Sequence, residues 1–235
     1  EKNKKLLSES YNYDQSMEHD ACGVGMIATT DGKKSRKIVD YGIEALKAIW
    51  HRGAVDADGK SGDGAGIQIE IATEFFKEKI IATGHDPDDS KRICVGMVFL
   101  PRTDYLEQEK CREIIESVLL EENYSIYGWR QVPINSSVLG KTAEQSRPEI
   151  AQVMFKKNQN LETNDLERNL FETRKKIEKL ARKNQLKNFY ICSFSSRSIV
   201  YKGMFLAEML AEFYPDLNDE KLTSRFAIFH QRYST

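Results

Sequence analysis

The reactive candidate in this chain is one cysteine. In His-Asp-Ala-Cys-Gly-Val-Gly, residues 19–25, Cys22 stands ahead of two closely spaced glycines and an apolar run, with twenty-one residues before it. A thiol that opens a strand is accessible in a way a mid-strand thiol is not, and Gly23 and Gly25 would leave space for a ligand or another backbone to approach. Nucleophilic use of the thiol requires a base. His19 and His51 are nearby in sequence, but nothing in the spacing gives either a clear geometry, and a lone histidine is more often structural. One route needs no partner side chain. A cut between Ala21 and Cys22 would put an α-amino group on the same residue as the thiol. Its reference pKa of about 7.7–8.0 lies close to the thiol's value of about 8.5, so proton transfer between them is nearly balanced at neutral pH. The amide nitrogen of an uncut chain has no such basicity. On that logic residues 1–21 are a leader and the uncut chain is an inactive precursor.

The other three cysteines have plainer explanations. Cys94 sits in the apolar run RICVGMVFLP, Cys111 shares a helical stripe with Ile114, Ile115 and Val118, and Cys192 alternates with Tyr190 and Phe194. Buried cysteine is ordinarily a small hydrophobe. No cysteines or histidines stand at metal-ligand spacing, so no metal site is expected. The glycines of HRGAVDADGKSGDGAGIQIEI invite comparison with a phosphate-binding loop. That loop needs Gly-Lys-Ser/Thr running into a helix, whereas this stretch runs into an alternating strand. A tight turn whose glycines adopt positive φ is the preferred reading for Gly59, Gly62, Gly64 and Gly66.

The chain has 235 residues, 40% of them apolar, which is enough to bury a real core. A net charge of −1 and interleaved signs argue against nucleic acid or an anionic membrane as partner. No apolar run has the roughly 20 residues that a membrane span needs, and reduced thiols fit a cytoplasmic location. Strands are expected near 22–30, 66–72, 92–101, 125–132, 188–204 and 225–233. Helices are expected near 36–50, 73–82, 104–122, 165–184 and 207–214. CSFSSRSIVYKG reads as a hairpin, and the absence of strict βαβ alternation points to α+β layers.

Four blocks taken in order, DACGVGMIA, LKAIWHRGAVDADGKSGDGAGIQIEI, SIYGWRQVP and FAIFHQRYST, resemble the N-terminal glutamine amidotransferase domain of the glutamate synthase large subunit, an N-terminal-nucleophile family. The resemblance runs from about Tyr13 to Thr235. Related amidotransferases with the same fold, such as amidophosphoribosyltransferase and glucosamine-6-phosphate synthase, usually begin directly at the cysteine after the initiator methionine, so the leader and the SGDGAG turn favour glutamate synthase. The resemblance implies a four-layer αββα sandwich, with residues 22–235 forming an amidotransferase domain truncated at its C-terminal side. It makes Cys22 the nucleophile that converts glutamine to a γ-glutamyl thioester and ammonia. Arg232 would hold the substrate α-carboxylate, Thr235 would lie beside that carboxylate, and Arg52 and Gly53 would support the site from below.

By the same resemblance an Asn-Gly oxyanion pair and an aspartate follow Arg-Tyr-Ser-Thr in the family, and they do not occur before Thr235. The parent's synthase domains would carry FMN and an iron–sulfur cluster, and would turn 2-oxoglutarate plus ammonia into glutamate. Expected partners are L-glutamine, those synthase domains, and a small electron-donating subunit or ferredoxin. Two alternatives are an amidotransferase coupled to a different synthase and a non-catalytic domain of the same fold.

Overall fold

The computed structural model describes residues 23–232, with the Arg52 side chain excepted. Cys22, Thr235 and residues 1–21 lie outside the described residues. In chain order the elements are β1 (Gly23–Ala28), α1 (Arg36–Ala48), β2 (Ala65–Glu70), α2 (Thr73–Ile81), β3 (Cys94–Leu100), α3 (Tyr105–Glu121), β4 (Tyr124–Gln131), α4 (Lys141–Ser146), β5 (Glu149–Lys157), α5 (Thr163–Lys183), β6 (Tyr190–Ser195), β7 (Ser198–Gly203), the single turn α6 (Leu210–Phe213) and β8 (Phe226–Gln231). They form two antiparallel four-stranded sheets, β1-β8-β2-β7 and β4-β5-β3-β6. The architecture is an α+β sandwich: the element pattern called for α+β layers, and the resemblance for the sandwich.

Period-2 alternation sorts the second sheet between two cores. Cys94, Val98, Val153 and Phe155 face α3 and α5, where they meet Cys111, Ile115, Leu166 and Leu170. Val95, Met97, Ile150 and Met154 point the other way, into a larger core shared with α1, α2 and the first sheet. α1 begins at Ser35, whose hydroxyl accepts from the Lys37 backbone N–H. It lays Ile38, Val39, Ile43 and Leu46 over that sheet. Across the first sheet Ile67, Ile69, Ala227, Phe229 and Tyr201 share this buried face, while Val24 and Met26, on the opposite face, are 66% and 67% exposed.

Two expectations need correction. β6 and β7 are not a paired hairpin: β6 pairs with β3 and β7 with β2, so the chain passes from one sheet to the other at Ser196–Arg197. The corner is pinned by Glu167 on α5, which accepts from the Ser195 hydroxyl (2.8 Å), the Ser196 N–H (2.8 Å) and the Ser196 hydroxyl (2.6 Å). The Ser195 hydroxyl in turn accepts from the N–H groups of Arg197 and Ser198. β5, which lies between β4 and β3, is absent from the strands expected from the sequence. Its Gln152 is fully buried, and its flanking glutamate and lysines blur the alternation.

That Gln152 belongs to a polar staple between the sheets. Arg130 of β4 grips Asp216 in a bidentate contact (2.8 and 2.6 Å) and donates to Gln152 Oε1 (2.7 Å). Tyr201 of β7 donates to Asp216 (3.1 Å), and Gln152 Nε2 reaches the Tyr201 oxygen (3.4 Å). One carboxylate thereby ties strands of both sheets to the turn at Pro215–Asn218.

Candidate active site

Antiparallel register decides which chain segments meet at each end of the first sheet. Gly23, the residue after Cys22, lies opposite Gln231, the residue before Arg232, and Gln231 is opposite Ala65 on its other side. The first, second and last sequence blocks therefore converge at one sheet end. Arg232 leaves β8 with φ of +80°, a left-handed conformation rare for a long side chain. Its N–H donates to the Gly64 carbonyl at 2.7 Å. Its guanidinium Nε lies 3.4 Å from Asp63 Oδ2, with both side chains about one-third exposed. The same Asp63 oxygen accepts from the Ala54 N–H at 3.2 Å, and the Asp63 N–H donates back to the Ala54 carbonyl.

Gln231 occupies the centre of this ladder row. It is 1% exposed, and neither its Oε1 nor its Nε2 has a hydrogen-bond partner among the described residues. A Cβ at Gly53 would collide with the Gln231 carboxamide, so that glycine is required by close approach, its φ of −94° being ordinary. Gly53 therefore underlies the sheet end through Gln231. Arg52 ends the short helical turn Trp50–Arg52 on the same loop.

The glycine-rich stretch is a loop, as expected, but only part of the positive-φ reading holds. Gly59 (+72°) and Gly64 (+112°) adopt such angles. Gly62 and Gly66 do not: they are small because Leu206 packs against the first and His230 and Lys202 against the second. The loop is organised by Asp58, which accepts from the Ser61 hydroxyl (2.6 Å) and from the N–H groups of Lys60, Ser61 and Thr142. These bonds, led by the Ser61 hydroxyl, hold the Asp58 carboxyl well below the usual range. Ser61 also accepts from the Ala143 N–H, so the loop caps the start of α4 from a distance. The room expected beside Gly25 is filled by the Phe229 ring.

Cys94, Cys111 and Cys192 are buried free thiols. Burial pushes Cys94 far above the ordinary thiol range and Cys111 and Cys192 up to about 12, which makes all three inert as nucleophiles. Burial, with the Lys202 charge second, lowers His230, which faces Gly66 on the same sheet as the site. His51 is exposed beside Trp50. Among the described residues no group of three or more His, Cys, Asp or Glu is placed to hold a metal ion.

Residues 22–235 match the family model for class-II glutamine amidotransferases. The chain belongs to that family. A glutamate synthase (NADPH) large chain from Azospirillum brasilense is 53% identical over 233 residues, covering 99% of this chain and 15% of the relative. A ferredoxin-dependent glutamate synthase from Pyropia yezoensis is 46% identical over 98% of this chain and 15% of its own length. The chloroplastic ferredoxin-dependent enzyme of Spinacia oleracea is 41% identical over 93% and 13%. The chain thus spans about 15% of the length of the curated relatives it matches. It is a class-II glutamine amidotransferase domain of the kind glutamate synthases carry.

Within this amidotransferase domain, Asp63, Gln231 and Asp58 were missed by sequence reasoning. Asp63 and Asp58 sit among turn-forming Gly, Asp and Ser residues, where carboxylates are commonplace. Gln231 occupies an inward strand position whose polarity reads as a surface residue until the register is known. Among the described residues no helix is long and apolar enough to cross a membrane.

Proposed function

We propose that the domain hydrolyses L-glutamine and delivers ammonia to glutamate synthesis from 2-oxoglutarate elsewhere in a glutamate synthase. Residues 1–21 are a leader whose removal exposes the α-amino group of Cys22. That amine takes the thiol proton, and the thiolate attacks the glutamine Cδ. The tetrahedral adduct collapses to a thioester, and ammonia departs with a proton returned by the ammonium. Water, deprotonated by the same amine, then cleaves the thioester to glutamate and the free thiol. Arg232 holds the α-carboxylate with Thr235 beside it, and Arg52 and Gly53 support the site.

The observation that carries this reading is the convergence of Gly23, Gln231 and the Asp63–Gly64 turn at one sheet end. Asp58 and Ser61 brace the loop that supplies the turn. In the relatives' names the electron donors are NADPH and ferredoxin, so the proposal includes a small electron-donating subunit or ferredoxin as partner. FMN and an iron–sulfur cluster belong to the synthase domains outside this chain, and no step here passes through them. A cytoplasmic location is supported by the unpaired thiols.

Arg232→Lys tests the assignment, because it keeps the charge and loses the planar fork. A charged hydrogen bond is worth roughly 1.5–3 kcal/mol, so kcat/KM for glutamine should fall about ten- to a hundredfold, mostly through KM. Synthesis from free ammonia should be retained, since ammonia has no carboxylate. Steady-state kinetics with both nitrogen donors check this. Equal loss with both donors, or unchanged glutamine kinetics, would make Arg232 structural.

A further inference from the structure

The SGDGAG turn is more than a turn. The geometry points to Asp63 and Gly64 as a two-point holder that aims the Arg232 guanidinium at the substrate carboxylate, with Asp63 a positioning residue for glutamine binding. The inference rests on the assignment of Arg232 given above.

Four observations support it. Arg232 stands in a left-handed conformation with φ of +80°, and a non-glycine residue is kept there only when its surroundings over-determine it. The Gly64 carbonyl supplies one constraint on the backbone at 2.7 Å, and Gly64 can present it because it adopts φ of +112°. Asp63 supplies the other, on the side chain, through the contact between its Oδ2 and Nε at 3.4 Å. Asp63 is itself fixed, because its Oδ2 and N–H bracket both polar backbone atoms of Ala54, the residue after Gly53. Consecutive residues thus set the backbone and the head group of one arginine, and they join it to the HRGA segment. Engagement through Nε directs the side chain while Arg232 binds a carboxylate in the forked manner that planar guanidinium favours.

The chemistry sets the size of the effect. The Asp63–Arg232 pair is partly exposed, where such pairs are worth little in stability. Its contribution is orientation, and its loss should appear in glutamine binding. Asp63→Asn keeps a side-chain oxygen for the Ala54 N–H and removes the charge, so the loop has its hydrogen bond and the arginine loses its guide. In a full-length glutamate synthase carrying this domain, KM for glutamine should rise about three- to fivefold with kcat within about twofold. Adding Asp63→Asn to Arg232→Lys should cost nothing further, because the fork it would aim is already gone.

Steady-state kinetics of the two single variants and the double variant, with glutamine and with ammonia, form the test. An unchanged KM in Asp63→Asn overturns the proposal. So does a double variant whose loss is the product of the single losses, or a parallel loss of ammonia-dependent synthesis that marks a folding defect. If Arg232→Lys alone leaves glutamine kinetics intact, the underlying assignment falls with it. If Arg232→Lys raises KM and Asp63→Asn does not, only the positioning role fails.

Discussion

Cys22→Ser should remove glutamine hydrolysis while leaving synthesis from free ammonia in place. A hydroxyl is far less acidic than a thiol, and an amine of pKa about 8 cannot ready it for attack. Loss of a nucleophile costs roughly 10⁴- to 10⁶-fold in such cycles, so the glutaminase rate should drop below detection. Serine at Cys94, Cys111 or Cys192 should leave the rate unchanged, because each of those thiols is buried and held in its protonated form. Initial rates of glutamate release from glutamine, set beside ammonia-dependent rates on the same preparations, make the comparison. A Cys22→Ser enzyme that keeps more than a small fraction of its glutaminase activity contradicts the nucleophile assignment.

Asp216→Ala should destabilise the domain more than any substitution at the site. It strands Arg130 in the interior with its bidentate partner gone, and breaking one side of a buried pair costs about 3–5 kcal/mol. Tyr201 loses the acceptor of its hydroxyl at the same time. In a chain of this size each kcal/mol moves Tm by roughly 2–4 °C, so a fall of about 6–20 °C is expected. Scanning calorimetry of the domain's transition gives the value. Replacing both partners together, Arg130→Met with Asp216→Leu, should cost less than Asp216→Ala alone, since no charge is left buried. A double variant worse than the single one would show that the network's worth lies in its hydrogen bonds and not in charge compensation.

What was legible in the sequence is what repeats along a single element. Alternation in IQIEI, the apolar run after Cys94 and the helical stripe at Cys111 each report their own burial, and β2, β3 and α3 fall close to where those patterns put them. The site blocks were legible by resemblance, and the register of β1 with β8 and β8 with β2 brings their ends together. Pairing across long separations was not legible. Arg130 and Asp216 are 86 residues apart, and neither stands in a local pattern that announces a buried ion pair. β5 was missed because Gln152 at an inward position breaks the apolar alternation, and its meaning appears only once Arg130 and Tyr201 are beside it. The β6–β7 corner resembles a hairpin in sequence because serine-rich turns look alike. Glu167, on a helix almost thirty residues earlier, commits its strands to different sheets.

Gly53 shows the same division. Its place in HRGA marks it by resemblance alone, whereas the structure gives a packing reason for a glycine there: the Gln231 carboxamide lies against it from the far end of the chain. That carboxamide is buried without a partner among the described residues.

The central claim, that an N-terminal Cys22 is the glutamine nucleophile, is tested most directly by covalent labelling. A diazo-ketone analogue of glutamine is incubated with the mature full-length synthase, and the adduct is located by peptide mass mapping. The account predicts a single adduct, on a peptide that begins at Cys22 and carries nothing of residues 1–21. An adduct on Cys94, Cys111 or Cys192 with Cys22 unmodified, or a labelled and active enzyme that still retains His19 and Asp20, would contradict it.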